Sequence, residues 1–228
     1  CGSCAEVCPT GVLTAVNGEV RVDVATYFGC IACGQCMMAC PTGSVTVTGR
    51  GVSADQLVDL PPASARAGVD ALEGLLLARR SVRKFGPDPV PDALIDRVLA
   101  VAATAPMGIP PSEVGVVAFR SAEKVRELSR AVAAGYAGLL RFMDNRVGLA
   151  LLRLFAKRTT YEQFRSFILP LGRDIVDAEK AGGDKVFYGA PAVLLFHNSP
   201  YADASDAAIA CTYAMLAAEA LGLGTTMI

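Results

Sequence analysis

Hydrophobic and polar positions follow different rhythms along the chain. In the first 49 residues, regular alternation is confined to two short β-branched runs, Val20-Arg-Val-Asp-Val24 and Ser44-Val-Thr-Val-Thr48, and each predicts part of a small hairpin. Residues 50–69 carry no period, are poor in aromatics and include Pro61-Pro62, which reads as a linker. A helical pattern then begins, with Asp70 as N-cap before Ala71-Leu-Glu-Gly-Leu-Leu-Leu-Ala-Arg-Arg80. A second helix is predicted from about Pro91 to Ala103, with Pro91 near its first turn. Val114–Phe119 and Ala192–Phe196 read as strands. Between them, helical periodicity runs from Ala122 to about Lys180, with breaks expected near Gly135, Gly148 and Pro170. Asp203 or Ser205 caps a last long helix that ends at Gly222 and Gly224. Strands alternating with helices predict an α/β or α+β domain over residues 70–228, preceded by a small separate module over 1–49.

Composition narrows the function classes. At 228 residues the chain holds one large or two small domains, and 53% hydrophobic residues are ample for a core. A net charge of −1 suggests no nucleic-acid partner. The most apolar long stretch, Ala207 to Leu223, is Ala-rich and contains Glu219, so it reads as a buried helix and no membrane partner is expected. Charge is uneven along the chain. Residues 1–49 set Glu6, Glu19 and Asp23 against Arg21 alone, whereas residues 141–173 are strongly basic.

The cysteines carry the clearest chemistry. Seven of the eight lie in the first 40 residues. Cys30, Cys33, Cys36 and Cys40 with Pro41 form a complete C-x2-C-x2-C-x3-C-P run. Cys1, Cys4 and Cys8 with Pro9 repeat its last three ligands at an offset of 32, and Cys8-Pro-Thr-Gly-Val-Leu-Thr echoes Cys40-Pro-Thr-Gly-Ser-Val-Thr. Disulfide frameworks have no need of such triplets, and zinc sites normally use pairs. The runs predict two [4Fe–4S] clusters of the ferredoxin type. In two-cluster ferredoxins the fourth cysteine of each run ligates the other cluster. Cys30, Cys33, Cys36 and Cys8 then hold one cluster; Cys1, Cys4 and Cys40 hold three corners of the second. Its first cysteine is expected upstream of Cys1, so the chain reads as truncated at its start. No signal peptide is visible, and thiolate clusters need a reducing compartment, which predicts the cytoplasm.

A second constellation begins at Arg79-Arg-Ser-Val-Arg-Lys-Phe85. Arginines and a hydroxyl within five residues can fork onto phosphate oxygens, although a basic helix end also complements the helix dipole. The motif is followed by Ala105-Pro-Met-Gly-Ile-Pro-Pro-Ser112, then Tyr188-Gly-Ala-Pro191, then Ala217-Ala-Glu-Ala-Leu-Gly-Leu-Gly-Thr225. This order over residues 70–228 resembles the nitroreductase family of flavin enzymes, and the whole chain resembles a ferredoxin–nitroreductase fusion. The resemblance implies an FMN-binding α+β homodimer with flavin at the subunit interface. It implies that Arg79, Arg80, Ser81 and Arg83 grip the FMN phosphate and ribityl chain. Pro106, Met107 and Gly108 would present backbone to the isoalloxazine, and Met227 and Ile228 would lie beside the ring. Pro110-Pro111-Ser112-Glu113-Val114 departs from the family's Asn-x-Gln-Pro-Trp-like segment, and the chain stops before residues that usually reach flavin N5 and the phosphate, so the C-terminus reads as incomplete.

No catalytic residue can be assigned. Cys211 reads as a packing residue, and His197, the single histidine, as structural. Met37 and Met38 are expected to shield a cluster from water. Of Tyr136, Phe142, Phe155, Tyr161, Phe164 and Phe167, most are expected in the core, with one or two forming a lid. The function that follows is an FMN-dependent oxidoreductase. Electrons would pass from an external donor, reduced ferredoxin or NAD(P)H, through the clusters to FMN and on to a small organic acceptor: a nitroaromatic, quinone, enone or flavin. A non-catalytic electron-transfer protein carrying the same cofactors is the alternative.

Overall fold

A computed structural model describes residues 1–49, 53–106, 114–143, 146–200 and 202–228, without the side chains of 56, 146 and 151. The elements, in order, are α1 (Ser3–Glu6), β1 (Leu13–Val16), β2 (Glu19–Val22), α2 (Gln35–Met38), α3 (Val69–Ala78), α4 (Asp92–Ala102), β3 (Val114–Phe119), α5 (Ala122–Met143), α6 (Arg146–Phe155), α7 (Arg158–Gln163), α8 (Leu169–Lys180), β4 (Val193–Asn198) and α9 (Ala204–Ala220). The mixed α+β class is as expected. The chain divides into two compact units: Cys1–Leu72 with Ala105–Gly115 and His197–Ile209, and Glu73–Thr104 with Val116–Phe196 and Ala210–Ile228. Among the described residues, no helix is long and apolar enough to cross a membrane.

The internal repeat of the N-terminal module is visible in its backbone. α1 and α2 are both four-residue helices entered through a left-handed glycine, Gly2 at φ +91° and Gly34 at φ +77°. β1 and β2 form the first hairpin, in register Leu13↔Val22 to Val16↔Glu19. The turn is Asn17-Gly18, both at positive φ, which matches the twist a two-residue hairpin needs. The second expected hairpin, at Ser44–Thr48, does not form: residues 44–47 have no strand assignment. Their backbone donors go to sulfur instead, Ser44 N–H to Cys40 Sγ at 3.2 Å and Val47 N–H to Met37 Sδ at 3.2 Å.

In the second unit, α4 buries Ile95, Val98 and Ala102 on one face. Val98 and Ala102 pack with Ala214, Ala217 and Ala218 of α9 and with Leu194 and Phe196 of β4, where small alanines let the helix approach closely. Val125 of α5, Phe187 and Ala190 form a second cluster with Phe85 and Phe119. A third joins Leu140 and Met143 of α5 to Leu169 of α8 and to Leu149 and Leu152 of α6. β3 and β4 make a two-stranded sheet.

Several helix boundaries differ from expectation. Asp70 lies inside the first turn of α3 and is not its N-cap, although its charge still suits the helix N-terminus. Gly135 does not interrupt α5: a helical glycine costs about 1 kcal/mol, and the buried faces on either side outweigh it. Gly148 lies within α6, its bare Cα against the Phe142 carbonyl, where a Cβ has no room. Pro170 sits in the first turn of α8, just after a π-helical turn at Phe164–Ile168. The wider turn accommodates a residue that cannot donate its amide. Asp203 is the cap of α9, its Oδ1 accepting from Ser205 N–H at 2.8 Å. The helix closes with Gly222 at φ +74°, where Leu223 N–H reaches Ala218 C=O and Gly222 N–H reaches Glu219 C=O.

The α5–α8 contact turns on Gly172, where an added Cβ would lie 2.6 Å from Tyr136 Cδ1. Gly172→Ala is expected to lower stability by about 1–3 kcal/mol through overpacking, a loss that chemical denaturation would measure.

Candidate functional site

The cysteine side chains are held by short, tightly turned segments. Cys8, Cys30, Cys33 and Cys36 line one cavity of about 310 Å³, whose other walls include Val12, Leu13, Val22, Val24 and Ile31. The cavity therefore unites Cys8 with the first three cysteines of the other run. Among the described residues, no three His, Cys, Asp or Glu side chains converge on the position of a single metal ion.

The electrostatics differ from thiol to thiol. Burial pushes Cys36 up, and the neighbouring Cys33 and Cys30 charges add to it against the Met37 N–H. Crowded thiolates of this kind are relieved by a bound cation or cluster. At Cys8, burial acts upward, but N–H groups of Leu13, Thr10 and Val12 and the Thr10 hydroxyl outweigh it and lower the pKa. The Thr42 hydroxyl, with N–H groups of Thr42, Ser44 and Val45, brings Cys40 down to about 7. Met37 is 3% exposed and packs within the module, whereas Met38 is 57% exposed. Only Met37 is placed to exclude water.

A second constellation forms where the exit of α3 meets the segment that follows α9. Ser81 pairs in parallel with Thr225. Val82 N–H donates to Thr225 C=O at 2.9 Å. Gly224 permits this, since a Cβ there would lie 2.8 Å from Val82 Cγ2. The pairing brings the Arg79–Arg83 segment beside the Met227–Ile228 terminus. Arg79 is half-buried; Ser81 and Arg83 are exposed. Arg80 Nη1 donates to the carbonyls of Leu77 at 2.5 Å and Arg79 at 3.0 Å, so it closes the end of α3. The Arg83 guanidinium lies 6.0 Å from the Tyr188 ring centroid. The hydroxyls of Thr225 and Thr226 are buried without a hydrogen-bond partner among the described residues. Met227 is 49% and Ile228 73% exposed. Pro106 is exposed, and Met107 and Gly108 lie outside the described residues.

The remaining sequence expectations divide. The exposed His197 ring lies against Gly115, where a Cβ has no room, consistent with a structural role. Cys211 is half-buried in α9, and burial pushes its thiol up. The aromatic expectation needs correction: Phe142, Phe155 and Phe167 are 55%, 80% and 59% exposed. Phe142 and Phe155 fall near the C-terminal ends of α5 and α6. Phe164 and Tyr136 do pack, against Leu140 and its neighbours and against Gly172.

Sequence reading missed Asp184. Its Oδ1 accepts from Ser129 Oγ at 2.7 Å, Val186 N–H at 2.9 Å and Phe187 N–H at 3.0 Å; its Oδ2 accepts from Gly189 N–H at 3.1 Å. These bonds shape the turn that holds Tyr188 at φ +56° beside Arg83. An acid placed just before a tight turn was the available signal. Thr225 and Thr226 were passed over because an isolated Thr-Thr pair carries no signature.

The profile of the nitroreductase family matches residues 76–228, and that of a 4Fe–4S dicluster domain matches residues 1–44. The chain belongs to the nitroreductase family, and it carries a ferredoxin-type 4Fe–4S dicluster domain over its first 44 residues. No curated protein sequence matches it. Among solved structures, it is similar to a nitroreductase with bound FMN from Bacteroides fragilis NCTC 9343, at 20% identity and a TM-score of 0.44, over 66% of this chain and 65% of that one. It is also similar to the FMN-dependent nitroreductase NfnB from Mycobacterium smegmatis in complex with NADPH, at 25% identity and a TM-score of 0.40, over 67% of this chain and 72% of that one. The chain thus spans just under two thirds of the first of these proteins.

Burial works to raise the Asp184 pKa, but the N–H groups of Phe187, Gly189 and Val186 and the Ser129 hydroxyl hold it below the usual carboxylate value. Its contribution to stability is therefore complete above the unfolded-state value of about 3.9 and is lost as pH falls through the lower folded value. Asp184→Asn is expected to cost about 1–3 kcal/mol at neutral pH and to flatten the acid limb of the stability curve, read from urea midpoints between neutral and acid pH.

Proposed function

We propose that this chain is an iron–sulfur flavoprotein oxidoreductase that passes electrons through two [4Fe–4S] clusters to FMN and on to an organic acceptor. The observation that supports this reading is the cavity lined by Cys8 together with Cys30, Cys33 and Cys36, because cross-ligation in a two-cluster module calls for that grouping. By the repeat, Cys1, Cys4 and Cys40 serve the second cluster, and their segments share the same helix entry and turn. In this division, residues 1–49 are the cluster module, 50–69 the linker and 70–228 the flavin domain.

For FMN, Arg79, Ser81 and Arg83 supply cations and a hydroxyl on one short segment, suited to a phosphate. Arg80 contributes its charge there while closing α3. Tyr188 holds the Arg83 guanidinium by its face. The unpartnered hydroxyls of Thr225 and Thr226 offer donors to a polar ligand along the terminal segment, and Met227 and Ile228 offer it an apolar surface. Pro106, with Met107 and Gly108, is the proposed backbone wall. When bound, the clusters supply one-electron transfer and FMN couples single electrons to two-electron chemistry.

The exposed stripe Val69, Leu72 and Leu76 of α3, with Leu77 beside it, supports a homodimer with flavin at the interface. Reduced ferredoxin or NAD(P)H is the proposed donor, and a nitroaromatic, quinone, enone or flavin the acceptor. A reducing compartment, the cytoplasm, suits the thiolates.

Anaerobic purification with iron, sulfide and flavin analysis tests the cofactor content. The variant combining Arg79→Ala, Arg80→Ala and Arg83→Ala should lose FMN on desalting while retaining its iron; stoichiometric FMN in that variant would sink the phosphate assignment. Cys8→Ser should damage the cluster of Cys30, Cys33 and Cys36, and Cys40→Ser that of Cys1 and Cys4, each with FMN retained. Reduction by reduced ferredoxin should then slow sharply, while chemically reduced protein still passes electrons to an acceptor. An unchanged rate of reduction in a cluster-free variant would make the N-terminal module a docking appendage.

A further inference from the structure

The two Cys-Pro-Thr-Gly turns have the same backbone form, with Gly11 at φ +69° and Gly43 at φ +63°. In each, the threonine hydroxyl faces the cysteine sulfur: Thr10 Oγ1 lies 3.8 Å from Cys8 Sγ, and Thr42 Oγ1 lies 3.5 Å from Cys40 Sγ. They part company two residues after the threonine. One repeat has Val12, 4% exposed; the other has Ser44. Ser44 Oγ lies 2.8 Å from Thr42 Oγ1; the backbone N–H at this position acts on the cysteine sulfur in both repeats, Val12 toward Cys8 and Ser44 toward Cys40, so the hydroxyl is what differs.

A cluster-bound cysteine sulfur has no proton and can only accept. The Thr42 hydroxyl must then donate to Cys40, which leaves its oxygen to accept from Ser44. The chain Ser44 to Thr42 to Cys40 thus has one polarity, and linked donors strengthen one another. Val12 has no hydroxyl, so Thr10 has no second donor behind it.

Resting on the two-cluster reading above, we propose that the Ser44–Thr42–Cys40 hydroxyl chain makes the clusters unequal, raising the reduction potential of the cluster held by Cys40 above that of the cluster held by Cys8. Reduction takes one electron from a low-potential one-electron donor, with no bond made or broken and no proton moved. Hydrogen bonds to sulfur stabilise the more negative state and so raise its potential. The apolar walls Val12, Leu13, Val22 and Ile31 act on the other site in the complementary sense, because they solvate added charge poorly. Electrons then run from the Cys8 cluster to the Cys40 cluster.

Potentiometric EPR of the anaerobically purified full-length protein tests this, with iron and sulfide counted per chain. Thr42→Val is expected to weaken reduction of the higher-potential cluster about tenfold, ~59 mV for one electron. Ser44→Ala should weaken it about threefold with the first hydroxyl in place, and Thr42→Ser should keep the parent value. Val12→Ser, which supplies the missing hydroxyl beside Thr10, should raise the lower potential and narrow the gap. Potentials unmoved by both Thr42→Val and Ser44→Ala, with iron and sulfide retained, overturn the proposal. A parent protein that binds neither iron nor sulfide overturns the two-cluster reading, and the tuning with it.

Discussion

A backbone hydrogen bond from Val82 N–H to Thr225 C=O, 2.9 Å long, ties the exit of α3 to the segment that follows α9. It exists because Gly224 has no Cβ to strike Val82. The left-handed Gly222 first turns the chain out of α9 and satisfies the last helical carbonyls. The basic segment and the terminal Thr-Thr-Met-Ile segment become neighbours only through this pairing. Each alone is an ordinary surface stretch; together they offer cations, hydroxyls and apolar surface within one site.

The surrounding core holds that junction in place. Alanines on α9 let α4 and β4 pack closely, so the helix end from which the terminal segment departs is anchored. Phe85, just beyond the basic segment, packs with Val125 and Phe187. Asp184 then organises the adjoining turn and sets Tyr188 beside Arg83. Packing, a buried-side carboxylate and a cation–π contact thus serve the same small region.

The N-terminal module follows a different economy. It has little apolar core of its own: β2 is exposed throughout, and Cys4, Val12 and Met37 are its buried apolar residues among those described. Small modules of this size usually need a metal or cross-links for stability. Its backbone donors point at sulfur at Cys40 and Met37 instead of completing a second hairpin. The failed strand expectation at Ser44–Thr48 and the sulfur-directed amides have the same origin: one set of N–H groups cannot serve both a ladder and a ligand turn.

Local rules carried much of this protein in its sequence alone. Cysteine spacing determined the cluster chemistry, because ligand geometry depends on a few consecutive residues. Capping and periodicity located α4, β3, β4 and α9 closely, since those signals are also local. The break expected near Gly135 does not form, because burial on both sides of it outweighs a small propensity cost, a balance that depends on α8. Tertiary structure alone decided that Ser81 meets Thr225 and that Asp184 stands behind Tyr188. These are meetings of segments separated in sequence or of side chains with backbone across a turn. No periodicity or motif encodes them, because they exist only once the chain has closed on itself.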